Sequence, residues 1–272
     1  MTPPAIRPPK RPTTQLTQWL DNECADLVQG FWTAAGNEEP FPRTLEVALG
    51  FALPVTLVRY PALHTNAARN WLRARNRDLL INEASRPLHG CLVAFQGSGI
   101  IFLDASDSPD EQRFSLAHEI AHFLVDYTLP RRRALATLGE GFADVLDGKR
   151  DATLCERVSS LFTGLSTQPH VNLMHRTVAG GDALTVWAVE HRADRVALAL
   201  LAPPDVVMPY AQGNTLQEQR TRTAEALVRD FGLPHIPAQR YAAELIQPPH
   251  AGDSWVESMR ALVRTHATES AE

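Results

Sequence analysis

One helix constrains the fold of this chain more than any other feature of its sequence. Ser108 is a suitable N-cap, Pro109 occupies the first helical position, and Glu111 completes an S-x-x-E capping box. The helix is predicted to run from Pro109 to about Tyr127 and to end before Pro130. Its central stretch, RFSLAHEIAHFL, is apolar nearly all the way round. Such a helix has to be enclosed by other elements, so the rest of the chain must fold around it.

The remainder of the chain offers mainly helices for this purpose. In many segments, apolar residues recur at spacings of three and four, which is typical of helices with a buried face. Helices are predicted in this way at residues 15–31, 44–51, 67–75, 183–202, 215–231, 236–246 and 253–266, with two more within 131–165. The stretch 166–182 is rich in glycine and polar residues, and we expect it to form a loop.

A small sheet is expected directly before the helix that starts at Pro109. Two short apolar runs, 90–95 and 100–104, are separated by the turn sequence QGSG and predict a β-hairpin. The run PVTLVRYPAL at 54–63 contains prolines that favour an extended edge segment. The predicted fold class is therefore α+β, a mostly helical domain with a small β-sheet packed on the central helix.

Composition and pattern divide the chain into four regions. Its 272 residues, of which 44% are hydrophobic, are enough for one large core or two small ones. The first 13 residues contain many prolines and little that could be buried, so we expect them to be disordered. The predicted regions are a disordered arm (1–13), an N-terminal helical region (14–80), a core (81–212, with an insertion at about 128–182) and a C-terminal helical region (213–272).

Net charge and cysteine usage argue against several classes of protein. Lys and Arg number 26 against 31 Asp and Glu, and a net charge of -5 does not suit a dedicated binder of nucleic acid or anionic membranes. A helix–turn–helix rhythm at 224–246 lies among balanced charges, so we interpret it as packing or partner-binding structure. The 3 cysteines are far apart, and the longest apolar stretch, 47–58, is too short to span a bilayer. We expect a cytoplasmic protein with no membrane contact and no direct nucleic-acid partner.

The central helix carries the sequence H-E-x-x-H at residues 118–122. His118 and His122 are one turn apart on the same face, so both imidazoles can reach one metal ion at about 2.0–2.1 Å. Glu119 lies about 100° around the helix, where it can contact metal-bound water instead of the metal. Ionisable side chains in a buried helix need a partner, and a metal ion is one. The pattern predicts one Zn²⁺ ion, with Glu119 as the general base.

A catalytic zinc site requires a third protein ligand. Two glutamates lie in an E-x-x-x-D pattern, which places a ligand and a supporting aspartate on one helix face: Glu190 with Asp194, and Glu140 with Asp144. The spacing from His122 does not choose between them, because the intervening segment can be an insertion. The Glu190 helix is the more apolar, which favours packing against the metal-binding helix, with Asp194 accepting a hydrogen bond from a ligand imidazole.

Two segments together resemble the ImmA/IrrE family of zinc metallopeptidases. They are RFSLAHEIAHFL at 113–124, which follows the hairpin, and EHRADRVALALLAPP at 190–204, which is similar to the second motif of that family. The resemblance extends from about residue 88 to residue 204 and implies a zincin-like domain. Arg192 departs from the pattern, since the family often has a second glutamate there.

The resemblance also implies roles for particular residues. It makes His118, His122 and Glu190 the metal ligands, and it thereby favours Glu190 over Glu140. It assigns the role of catalytic acid and base to Glu119.

A developing oxyanion needs a hydrogen-bond donor besides the metal. The candidates in this sequence are Tyr127, at the end of the predicted helix, and two histidines in the stretch PHVNLMHR, His170 and His175. Each of the three also fits a purely structural role.

These observations predict a zinc-dependent endopeptidase that hydrolyses a peptide bond in a partner protein. The resemblance implies that the partner is a helix-turn-helix transcriptional repressor that controls stress or mobile-element genes. The alternative hypothesis is a non-proteolytic regulatory protein that binds and sequesters a transcription factor or another partner. Glu119 argues against this alternative, because a structural metal site has no use for an unliganded carboxylate beside the metal.

Overall fold

The computed structural model describes residues 19–36, 38–77, 85–154, 156–157, 170–175 and 183–247. The α-helices are α1 (Asn22–Ala35), α2 (Glu46–Ala52), α3 (Thr65–Arg73), α4 (Pro109–His122), α5 (Leu129–Leu138), α6 (Ala143–Leu146), α7 (Ala183–Leu201), α8 (Pro204–Val207), α9 (Leu216–Arg229) and α10 (His235–Leu245). The strands are β1 (Val55–Tyr60), β2 (Leu88–Phe95), β3 (Ser98–Asp104) and β4 (His170–His175). The predicted α+β class is confirmed. The predicted arm at 1–13 and the predicted helix at 253–266 lie outside the described residues.

The strands form one mixed sheet in the order β1-β3-β2-β4. Strands β2 and β3 are the predicted antiparallel hairpin, and β1 pairs with β3 in parallel at the edge, where the proline-containing run was expected. The hairpin turn is Gln96-Gly97, and both residues have positive φ, 48° and 76°. Positive φ at both central positions matches the twist of the flanking strands, so a two-residue turn is sufficient. Ser98 and Gly99 therefore belong to β3 instead of the turn.

The loop predicted at 166–182 is wrong in part, because residues 170–175 form strand β4. This strand pairs antiparallel with β2 and occupies the second edge of the sheet. Val171 and Leu173 pack against one face of the sheet, and Met174 packs against the core on the other face. Strand pairing depends on residues that are distant in the sequence. An alternation of polar and apolar residues over only six positions is too short to predict a strand.

The sheet separates two hydrophobic cores. Leu92 and Ile101 face a large core that also contains buried apolar residues of α1, α4, α7, α9 and α10. Cys91 and Phe102 face a smaller core beneath α3, which contributes residues such as Leu72. The alternation follows from the two-residue period of a strand, which sends successive side chains to opposite faces. Helix α4 is thus enclosed between the sheet and α7, as its apolar surface requires.

The central helix continues past the proline at which it was predicted to end. Helix α4 is followed without a break by a π-helical segment, Phe123–Thr128, and then by α5, which contains Pro130 near its start. Proline lacks an N–H and its ring crowds the carbonyl of residue i−4, so an α-helix normally breaks there. The wider π turn changes the hydrogen-bond register immediately before Pro130 and lets the chain continue. The predicted end before Pro130 is therefore wrong.

Residues from segments before and after helix α7 hold its C-terminal end in place. The guanidinium of Arg43 donates to the carbonyl oxygen of Leu200 at 2.6 Å, and the hydroxyl of Tyr241 donates to that of Ala202 at 2.7 Å. These donors satisfy carbonyl groups that a helix leaves free at its C-terminus. Arg43 and Tyr241 are themselves buried, so α7 is held in a defined position against α4. Within the described ranges, no helix is both long and apolar enough to span a lipid bilayer.

Candidate metal centre

Helix α4 begins where the capping box predicts and carries the H-E-x-x-H residues into the core. The Ser108 side chain accepts a hydrogen bond from the N–H of Glu111 at 3.3 Å. Ten residues further along, His118, Glu119 and His122 are almost fully buried, with exposed fractions of 2%, 0% and 1%. Polar side chains buried to this degree need polar partners, so the contacts of these three side chains indicate their chemical role.

The two histidines converge with a glutamate from α7. The Nε2 atoms of His118 and His122 are 3.0 Å apart. Oε2 of Glu190 lies 3.2 Å from the first and Oε1 lies 3.7 Å from the second. One candidate ligand atom from each of the three residues therefore lies within 4.8 Å of the others.

The other glutamate considered from the sequence lies elsewhere. Glu140 begins a short 3₁₀ turn, Glu140–Phe142, and its side chain is exposed. Its neighbour Asp144 forms an ion pair with Lys149 at 3.4 Å on the surface. The structure thus brings Glu190, and not Glu140, to the histidines.

Each imidazole also forms a hydrogen bond to an aspartate through Nδ1, the ring nitrogen that faces away from the cluster. Nδ1 of His118 lies 2.9 Å from Oδ1 of Asp194, and Nδ1 of His122 lies 2.7 Å from Oδ2 of Asp126. A carboxylate accepts, so each Nδ1–H donates to its aspartate, and this orients each ring with its Nε2 atom towards the centre. Asp126 was not identified from the sequence. It lies in the π-helical segment, whose altered register follows from a proline further along the chain.

The arrangement has the chemistry and the dimensions of a zinc site. Two imidazole nitrogens and a carboxylate converge on one point, an arrangement that favours a cation between them, either a proton or a metal ion. Ligands placed about 2.0–2.1 Å from a tetrahedral metal are separated from each other by about 3.3 Å. The two Nε2 atoms are 3.0 Å apart and Oε2 of Glu190 lies 3.2 Å from that of His118, both close to this value, and one ligand atom from each of the three residues lies within 4.8 Å of the others. The residues present therefore fit a bound Zn²⁺ ion.

The electrostatics of the three side chains also favour a cation at this point. Burial opposes the charging of His118, but its hydrogen bonds to Asp194 and Glu190 outweigh burial and raise its pKa to about 10. Burial likewise opposes the ionisation of Glu190, yet the hydrogen bonds from His118 and His122 hold its pKa well below the usual range. The centre therefore attracts positive charge, which a metal ion would supply in place of protons.

Glu119 lies beside this cluster without belonging to it. Burial raises the pKa of its carboxyl group, and Oε2 accepts a hydrogen bond from Nδ2 of Asn172 at 3.3 Å. Oε1 is buried and has no hydrogen-bond partner among the described residues. Asn172 was not predicted as a site residue, because residues 170–175 were expected to form a loop and not strand β4.

The three candidate oxyanion donors occupy different places. The hydroxyl of Tyr127 accepts a hydrogen bond from the N–H of Gly97 at 2.6 Å, so it contacts the hairpin turn two helical turns beyond Glu119. His170 begins β4, and its Nε2 is buried without a hydrogen-bond partner among the described residues. Burial lowers the pKa of His170, although the charge of Asp126 acts in the opposite direction. His175 is the last residue of β4 and pairs with Leu88.

Arg192 has a structural contact at the position where the resemblance leads one to expect a glutamate. Its Nε lies 3.3 Å from Sγ of Cys24 and 3.6 Å from a carboxylate oxygen of Asp21, the N-cap of α1. Arg192 therefore joins α7 to the start of α1. It has no place in the His118, His122 and Glu190 cluster.

Comparison with protein families agrees with this geometry. The model of the IrrE N-terminal-like domain, Peptidase_M78, matches residues 66–147. This segment is similar to the ImmA/IrrE family. The IrrE-like segment contains β2, β3 and α4, and with them His118, Glu119 and His122, whereas Glu190 lies outside it. The family match indicates a metallopeptidase. Comparisons with curated proteins and with solved structures find no match.

The two carboxylates behind the imidazoles should matter for metal affinity. We expect Asp194→Ala and Asp126→Ala each to weaken zinc binding by about 10–100-fold, because each ring loses the acceptor that fixes its tautomer and orientation. Competition with a chromophoric chelator would measure the affinity. Asp144→Ala, which removes an exposed aspartate, is the matched control and should leave the affinity unchanged. Unchanged zinc affinity in both Asp194→Ala and Asp126→Ala would contradict this assignment.

Proposed function

We propose that this protein is a zinc-dependent endopeptidase that cuts a peptide bond in a partner protein. The observation that carries the proposal is the convergence of His118, His122 and Glu190 on one point, with the carboxylate of Glu119 beside it. The family match of residues 66–147 supports the same class of reaction.

The residues of the centre have two separate roles in the proposed reaction. His118, His122 and Glu190 would hold a zinc ion, which when bound polarises the scissile carbonyl and lowers the pKa of a coordinated water to about 7. Glu119 takes the proton of the attacking water and delivers it to the nitrogen of the departing amine. Burial, which raises the pKa of Glu119, suits a group that must both accept and release a proton.

Access to the centre is asymmetric. The side chains of the two histidines are 3% and 1% exposed, whereas that of Glu190 is 41% exposed and that of Asp194 is 37% exposed. A substrate therefore approaches from the side of α7. An extended segment of a partner protein suits such an open approach, and we propose a helix-turn-helix transcriptional repressor as the substrate, in line with the family resemblance.

The cysteines bear on where this activity takes place. Cys24 and Cys91 are buried free thiols. Burial raises the pKa of the Cys24 thiol to about 11, which keeps it protonated and unreactive. Buried free thiols are typical of proteins in a reducing compartment, so we propose that the protein acts in the cytoplasm.

A cleavage assay tests the proposal. The full chain, loaded with one equivalent of zinc, is incubated with the helix-turn-helix regulator encoded nearest to it, and fragments are identified by mass spectrometry. We expect one or a few discrete cuts that a chelator abolishes and added zinc restores. Stoichiometric zinc binding with no cleavage of this regulator or of a peptide library would instead favour the non-proteolytic alternative. Absence of zinc binding would overturn the proposed function.

A further inference from the structure

The position of Glu119 depends on two neighbours that lie in different strands of the sheet. The first is Asn172 of β4, which pairs with Leu92 of β2 in the centre of the ladder. Its neighbours Val171 and Leu173 face the smaller core, so by the alternation of a strand Asn172 faces helix α4. There its amide donates to Oε2 of Glu119 at 3.3 Å.

The second neighbour is Gly90 of β2. The pairing of β2 with β4 shifts its register between Leu88 and Gly90, which is the mark of a β-bulge. A Cβ atom at residue 90 would lie 2.9 Å from Oε1 and 3.1 Å from Cγ of Glu119. Such distances are too short, so only glycine leaves room for this carboxylate. The strand backbone therefore forms a wall against which Glu119 rests.

Between this wall and the amide, the carboxylate has little freedom. Glu119 is completely buried, and its Oε1 has no hydrogen-bond partner in the part of the chain that the structure describes. Asn172 is the residue whose side chain donates to the carboxylate there. Without that donor, the carboxylate would lose the side-chain hydrogen bond that holds Oε2 and would change its orientation.

We propose that Asn172 is a positioning residue for Glu119, with Gly90 as the opposing wall. The role rests on the proposed peptidase function, because Glu119 is the base of that reaction. Strand β4 thereby becomes part of the reaction centre although Asn172 is 53 residues from Glu119 in the sequence. A misplacement of about 1 Å can cost about 100-fold in rate, so a side chain that only orients the base has a measurable effect.

The first experiment tests the contact without using activity. Melting temperatures of the full, zinc-loaded chain are measured for Asn172→Ala, Glu119→Ala and the double variant. We expect Asn172→Ala to lower the melting temperature by about 3–6 °C in the wild-type background, since a hydrogen bond to a carboxylate is lost. In the Glu119→Ala background the loss should be below about 1 °C. Additive losses would overturn the proposal whether or not the chain hydrolyses peptides.

The second experiment tests the positioning role by kinetics. We expect Asn172→Asp, which keeps the shape but whose ionised carboxylate has no donor and repels that of Glu119, to lower kcat by about 10–100-fold with KM and zinc content unchanged. Asn172→Gln keeps the amide donor and should recover part of the loss. Gly90→Ala should also lower kcat at unchanged zinc content. The matched controls are Asn70→Asp on the exposed side of α3 and Gly50→Ala on α2, where a Cβ meets nothing within 4 Å.

The outcomes separate this proposal from the proposed function. A raised KM with unchanged kcat in Asn172→Asp would show that Asn172 contacts the substrate and would overturn the positioning role. A wild-type chain that cleaves nothing, together with coupled melting temperatures, would leave the contact established and refute the peptidase. Coupled melting temperatures together with a fall in kcat alone would support both.

Discussion

Glu119→Gln is expected to lower the rate of peptide hydrolysis by about 10²–10⁴-fold, the usual contribution of a general base. The substitution removes the ability to take a proton and changes little else. Glutamine has nearly the same shape, its carbonyl oxygen can still accept from Asn172, and the residue is not among the three that converge at the centre. Zinc content and melting temperature should therefore stay close to those of the wild type.

The measurement is a comparison of kcat at saturating substrate and equal zinc occupancy. Glu140→Gln is the matched control, because it makes the same chemical change at an exposed glutamate outside the cluster, and it should retain full activity. Retained hydrolysis in Glu119→Gln would refute the proposed mechanism, and loss of zinc from that variant would show that Glu119 has a different role.

The second large effect is expected in metal affinity. Glu190→Ala should weaken zinc binding by more than about 100-fold, because removal of a direct ligand costs more than the 10–100-fold typical of residues that only orient one. Glu140→Ala should change the affinity by less than about twofold, since surface substitutions away from a site have small effects. Glu190 approaches both Nε2 atoms, at 3.2 and 3.7 Å, whereas Glu140 lies in an exposed turn.

Calorimetric titration or competition with a chelator distinguishes the two variants. Glu190→Gln adds a test of charge, because the amide keeps an oxygen in place but lacks the negative charge that attracts the cation. We expect its affinity to lie between those of the wild type and Glu190→Ala. If Glu140→Ala were the weaker binder, Glu140 would be the third ligand and α7 would have only a packing role.

The features that could be predicted from the sequence depend on residues close together along the chain. The N-cap at Ser108 and the shared face of His118 and His122 follow from local backbone hydrogen bonds and from the helical period, which operate within a few residues. The β2–β3 hairpin is local for the same reason, since its turn is only two residues long. The apolar length of α7 was also visible in the sequence, and the structure confirms it as a helix.

The other features of the centre arise from contacts between distant segments. The spacing between motifs does not select Glu190 over Glu140. The apolar Glu190 helix and the family resemblance favoured Glu190, and the packing of α7 on α4 brings it to the histidines. Asp126 reaches His122 from a π-helical turn that ends beside Pro130, where the sequence pattern alone predicted the end of a helix. Asp126 lies within the predicted helix, four residues after His122, so the helical period was a signal that could have identified this contact.

What the sequence by itself determined is the central helix α4: its start, its burial and the face that presents two imidazoles with a carboxylate beside them. Only the tertiary structure decided what surrounds that face. Glu190, Asn172 and Gly90 reach it through helix packing and strand pairing, and these depend on how well whole surfaces fit together. Local rules specify an element, whereas a centre built from several elements is specified by the packing that brings them together.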